Sequence, residues 1–84
     1  MNFKVSNHAR EEMKRRGIPQ KLLDAVLNNP QQVAPEREGK KVYQSQVDFG
    51  QGKIFLLRVI VADDTDPAIV ITVYRTSRIE KYWR

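Results

Sequence analysis

Cysteine is absent from the 84 residues, and histidine occurs once. The first absence excludes disulfides and thiolate metal sites; the second leaves no set of imidazoles to hold a transition metal. No metal and no other cofactor is expected. Glycine and proline number four each, too few for a linker or a low-complexity tract. Long hydrophobic runs are missing as well. Met1 to Ala9 hold no apolar stretch of the signal-peptide kind, and no run reaches bilayer-spanning length, so a cytoplasmic chain without membrane association is expected. Gly50-Gln51-Gly52 joins two strands, not a strand to a helix, and is no phosphate loop. There is no nucleophile elbow and no paired-carboxylate motif.

A chain of this length makes a single domain, residues 1–84, and buries only about 60–65% of the surface its unfolded form exposes. Its formal charge is +5, unevenly placed: +3 over residues 1–30, −1 over 31–66 and +3 over 67–84. The excess gathers around Lys14-Arg15-Arg16 and between Arg75 and Arg84. A surface of this kind attracts polyanions, with nucleic acid the commonest partner.

The pattern along the chain predicts α+β architecture. Met1 to Val5 reads as extended, and Ser6 or Asn7 as an N-cap for a helix over Asn7–Arg16. Glu11 and Glu12 precede Arg15 and Arg16 by four, the favourable order for helical ion pairs. Gly17 suits the left-handed residue that ends a helix. Pro19, near the first helical position, opens a second helix over Gln20–Asn28, whose Leu22, Leu23, Val26 and Leu27 form a buried stripe. Thereafter the period changes to two. A short strand is predicted over Gln31–Pro35, a turn over Glu36–Lys40, and longer strands over Lys41–Phe49, Lys53–Ala62 and Ala68–Thr76. Ser77–Arg84 fits either a last helical turn or an extended edge. The expected fold is two N-terminal helices on one face of a three- to four-stranded antiparallel sheet.

Strict alternation sorts the two strongest strands into faces. Phe55, Leu57, Val59 and Val61, with Ile69, Ile71 and Val73, make an apolar face for the helices. The other face carries Leu56, Arg58, Ile60, Val70, Thr72 and Tyr74, joined by Gln44 and Gln46, and is open or only partly covered. A sheet face bearing arginine, tyrosine and amides suits RNA binding.

Several residues carry chemistry in this arrangement. His8 has the one side-chain type whose unperturbed pKa permits proton transfer near neutral pH; capping or local packing is the other role open to it. His8, Glu12 and Arg15 share a helical stripe. Arg16 stands where a cation complements the helix dipole. Arg58 on a central strand needs an anion beside it: a phosphate in a transition state, or a structural carboxylate such as Glu12 or Asp48. Tyr74, Arg75, Arg78, Lys81, Tyr82 and Trp83 interleave rings with cations, as in stacking on bases, or else pin the last segment to the core.

Ser6, His8, Ala9, Met13 and Arg16-Gly17-Ile18 together resemble the opening signature of the family catalogued as domain of unknown function 4258. Val26-Leu27, Pro30, Tyr43 and Ile71-Thr72-Val73-Tyr74 follow in the family's order. That family is similar to a compact relative of the RelE and BrnT toxins, with two helices on an antiparallel sheet. The resemblance implies metal-independent RNA cleavage, often on the ribosome, and a cognate antitoxin protein as partner. It points to His8, Arg16, Thr72 and Tyr74. Many members have arginine just before the methionine, where this chain has Glu12, which removes a positive charge next to His8.

The expected function is therefore that of a RelE-like toxin, a metal-independent endoribonuclease. His8, Arg58 and Tyr74 are its catalytic candidates, with Arg15, Arg16, Thr72, Arg75 and Lys81 binding substrate. The alternative is a non-catalytic module that binds nucleic acid or protein.

Overall fold

Ser6 starts the first helix. In the computed structural model, which describes residues 2–84, its Oγ accepts from the Ala9 amide at 3.1 Å and donates to the Ile71 carbonyl at 3.2 Å. One hydroxyl thus caps α1 (Asn7–Arg16) and ties it to the sheet. Gly17, at φ 64°, ends the helix in the left-handed region, and the Ile18 amide reaches back to the Met13 carbonyl at 2.9 Å. Pro19 stands just outside α2 (Gln20–Asn28), where its carbonyl accepts from Leu22 and Leu23.

The remaining elements are β1 (Phe3–Val5), β2 (Gln32–Pro35), a 3₁₀ turn (Arg37–Gly39), β3 (Lys41–Asp48), β4 (Ile54–Ala62), β5 (Ala68–Thr76) and α3 (Ile79–Tyr82). The two N-terminal helices and the three long strands lie where the sequence predicts, and the last segment takes the helical turn. Met1, part of the predicted first extended stretch, lies outside the described residues.

The sheet differs from expectation. It has five strands in the order β1-β5-β4-β3-β2, and it is mixed, because β1 runs parallel to β5. The sequence reads this stretch as extended, but three residues are too few to show which strand it pairs with or in which direction. Its pairing depends on both neighbours: the Ala68 amide donates to the Asn2 carbonyl and the Ser6 amide to the Val70 carbonyl, each at 3.1 Å.

A register shift on β5 produces the second difference. Ile60 pairs with Thr72 but Val61 pairs with Val70, so Ile71 is an extra residue and the alternation restarts beyond it. Val70 and Ala68, at 0% and 1% exposure, therefore face the helices with Leu57, Val59, Val61 and Val73. Strict alternation placed Val70 on the opposite face and Ile69 in its stead. Ala9, Met13, Leu23, Val26 and Leu27 close this core from the helix side. Each large side chain so buried contributes on the order of 1.5–3 kcal/mol. A smaller cluster, Ala34, Val42 and Ile60, lies on the other face. No described helix is long and apolar enough to cross a membrane.

The shift has a measurable consequence. Val70→Thr, which buries a hydroxyl in the main core, is expected to lower the unfolding free energy by about 1–3 kcal/mol in urea titration. Ile69→Thr should cost less; equal costs would contradict the register.

Candidate functional site on the open sheet face

Arg58 occupies the middle of β4, one residue out of phase with Leu57 and Val59, so its side chain leaves the sheet on the face away from α1 and α2. Its cross-strand partners are Gln44 on β3 and Tyr74 on β5. The residue is 5% exposed. A cation this deep is tolerated only with hydrogen-bond partners, and Arg58 has them. Nε donates to Gln44 Oε1 at 2.9 Å, and Nη1 donates to the Tyr74 hydroxyl. The Tyr82 ring from α3 lies 4.1 Å from the guanidinium carbon, a cation–π contact. The remaining nitrogen, Nη2, is 3.7 Å from Glu36 Oε2, an ion pair too long for a hydrogen bond.

Among the described residues no buried side-chain nitrogen or oxygen lacks a partner, so Nη2 reaches the surface of a cleft. That cleft encloses about 640 Å³, with Arg58, Tyr74, Tyr82, Thr72, Glu36 and Lys40 in its walls. Glu36 is oriented locally: Oε1 accepts from the Arg37 amide at 3.1 Å, which leaves Oε2 facing Arg58. Burial raises the pKa of Tyr74 against the opposing pull of Arg58. Its phenol is therefore neutral at neutral pH and accepts from Arg58, with the Tyr82 hydroxyl also beside it. The cleft thus combines the buried cation of Arg58, the carboxylate of Glu36 facing it, a neutral phenol and aromatic walls, with Arg37, Glu38 and Lys40 also in its lining. This set can bind a phosphate diester and stabilise added negative charge on it. No group of three or more His, Cys, Asp or Glu among the described residues is placed to hold a metal ion.

Residues 5–75 match the family model described as Domain of unknown function (DUF4258). The chain belongs to this family. No curated protein and no solved structure matches it. The DUF4258 segment holds Glu36, Arg58, Thr72 and Tyr74 of the cleft and the buried Gln44 beneath it, whereas Tyr82 lies beyond the segment.

The residues proposed from sequence fall into separate groups. Arg58, Thr72 and Tyr74 share the cleft, and Lys81 stands beside it, its Nζ 5.3 Å from the Tyr82 ring. His8 belongs to α1, across the sheet; its side chain is 63% exposed and its Nε2 is 3.9 Å from Glu12. Arg15 and Arg16 are bound to the same carboxylate, at 2.6 and 2.7 Å. Arg75 pairs with Leu57, hence points to the helix side, and its guanidinium packs on Phe49 and Phe55 at 4.6 and 4.8 Å. Arg58 has Glu36 as its carboxylate rather than Glu12 or Asp48. Sequence reasoning missed Glu36 and passed over Tyr82 as a site residue. Both approach Arg58 from outside the long strands, where alternation carries no information.

Glu12 generates a pH prediction. The hydrogen bonds from Arg16 and then Arg15 lower its pKa from 4.5 to about 2. A depressed carboxylate stabilises the folded state above the unfolded pKa and loses that contribution as pH falls through the folded one. Stability should therefore decline between pH 4.5 and about 2, and Glu12→Gln should flatten this acid limb in urea titrations at stepped pH.

Proposed function

We propose that this DUF4258 chain is a RelE-like toxin, a metal-independent endoribonuclease whose working surface is the Arg58 cleft. The single observation that supports it best is the state of Arg58. Two of its donor nitrogens are consumed by Gln44 and Tyr74, while the third faces an open cleft beside a carboxylate. A structural arginine would be expected to meet its carboxylate at hydrogen-bond distance. The motifs from Ser6 to Tyr74 carry the likeness to the DUF4258 family, and the toxin class of activity is what that resemblance implies.

In this reading the ribose 2′-hydroxyl attacks the adjacent phosphorus, the bond to the 5′-oxygen breaks, and a 2′,3′-cyclic phosphate and a 5′-hydroxyl result. The attacking oxygen and the phosphorus are neighbours in the chain of atoms, so the proton acceptor belongs close to the phosphate-binding cation. Glu36 meets that requirement, at 3.7 Å from Arg58. Arg58 stabilises the charge gathering on the phosphoryl oxygens. Tyr74, kept neutral by burial, donates toward the leaving oxygen, and Thr72 and Lys81 hold the strand. His8, on the helix side, takes no part at the reacting atoms, and Arg15 and Arg16 serve attraction of the polyanion at most. RNA is the substrate, and a cognate antitoxin in the cytoplasm is the expected protein partner.

The test is induced expression in a bacterial host of the wild type, Arg58→Gln and His8→Ala, with growth and bulk RNA followed together. Wild type and His8→Ala are expected to arrest growth and degrade RNA, also in the purified state with chelator present. Arg58→Gln, folded by circular dichroism, should lose about 10²–10³-fold in cleavage rate. Loss of activity in His8→Ala but not in Arg58→Gln would move the chemistry to α1. Normal growth and intact RNA with the wild type, alongside salt-dependent RNA binding, would leave a non-catalytic binding module.

A further inference from the structure

Gln44 is wholly buried at the centre of the sheet, and both polar atoms of its amide are engaged. Oε1 accepts from Arg58 Nε at 2.9 Å; Nε2 donates to Gln32 Oε1 at 2.8 Å and to the Tyr82 carbonyl at 3.1 Å. Reversing the amide would set a donor against the Arg58 donor and an oxygen against two oxygens, so the network permits one orientation. Gln32, its register partner on β2, continues the chain: Nε2 donates to the Arg84 carbonyl at 2.7 Å and Oε1 accepts from the Arg84 amide at 3.2 Å. Residues 82–84 thus cross the open face as a strap, held at three main-chain groups by two glutamine side chains. The same strap lays the Tyr82 ring on the guanidinium.

Apolar packing alone does not require this. A leucine at position 44 would fill the space beside Leu56 and Val42 but would leave Arg58 Nε and the Tyr82 carbonyl without partners. The amide joins two things that otherwise touch only through the Tyr82 ring: the main chain of the strap and the orientation of Arg58.

We propose that Gln44 is a positioning residue that couples the strap, residues 82–84, to Arg58. With the strap docked, Gln44 Oε1 holds Nε and turns the Nη2 edge toward the cleft. With the strap released, Gln44 loses one of its three contacts, the Tyr82 carbonyl, and is held on that side by Gln32 alone, while the guanidinium loses its ring cover and with it part of its orientation. The cleft is therefore assembled by docking of the strap. The consequence for RNA rests on the function proposed above; the coupling itself does not.

Gln32→Leu tests it, because Gln32 holds the strap without contacting Arg58. Trp83, the sole tryptophan and 37% exposed, reports the strap. In the folded full-length variant its emission should shift to the red and its quenching by acrylamide should rise. Solvent exchange of the Arg58 Nε–H, followed by NMR without ligand, should accelerate by about fivefold, the equivalent of one neutral hydrogen bond. A single-stranded pentaribonucleotide should bind weaker by about the same factor. Gln32→Glu keeps the acceptor for Gln44 Nε2 but sets a carboxylate oxygen against the Arg84 carbonyl, so it should release Trp83 too and accelerate the exchange likewise. Unchanged Trp83 quenching in Gln32→Leu would overturn the strap, and released Trp83 with unchanged Arg58 exchange would overturn the coupling. Failure of the wild type to bind the pentanucleotide would count against the RNA reading alone, since fluorescence and exchange still decide the coupling.

Discussion

A guanidinium buried on a central strand is the constraint on which the open half of this protein depends. Arg58 is 5% exposed, and removing a partner would leave a donor of the guanidinium unsatisfied, or in the case of Glu36 its charge unpaired, in a poorly solvated place. Its partners come from every side: Gln44 and Tyr74 from the flanking strands, Glu36 from the turn after β2, Tyr82 from α3. The position of the 3₁₀ turn and the path of the strap across the sheet are therefore tied to one side chain. The opposite face obeys a simpler rule, the removal of Leu57, Val59, Val61, Val70 and Val73 from water against two helices.

The bulge at Ile71 lets one strand serve both demands. Before it, Ala68 and Val70 face the helices; after it, Thr72 and Tyr74 enter the cleft while Val73 returns to the core. The sheet separates the two groups of charged residues. On α1, Glu12 gathers Arg15 and Arg16 within 2.7 Å and spends their charge locally. In the cleft, Arg58 meets its carboxylate only at 3.7 Å, so more of its charge is available to an anion arriving from solvent.

The cleft also joins residues from two parts of the chain. Glu36, Arg58, Thr72 and Tyr74 lie within the DUF4258 segment, and the ring that covers Arg58 comes from beyond it. The cation, the carboxylate and the phenol are built into strands and a turn, while the aromatic cover is carried by a four-residue helix with no buried residue of its own. Such a helix is held by its hydrogen bonds rather than by a core, which makes it the element most easily displaced.

The sequence by itself determined the features that depend on near neighbours. Ser6 and Gly17 bound α1, Leu23, Val26 and Leu27 mark the buried side of α2, and alternation places Arg58 on one face with Thr72, Tyr74 and Gln44. Caps and periods act over a few residues and can be read in one pass. Only the tertiary structure decided that β1 joins the sheet parallel to β5, that Val70 turns inward, that Arg75 packs on Phe49 and Phe55, and that Glu36 and Tyr82 converge on Arg58. These depend on register and on contacts between distant positions; Gln44 and the Tyr82 carbonyl are separated by 38 residues. A single extra residue in one strand reverses every face beyond it, and no local pattern on that strand records where the extra residue falls.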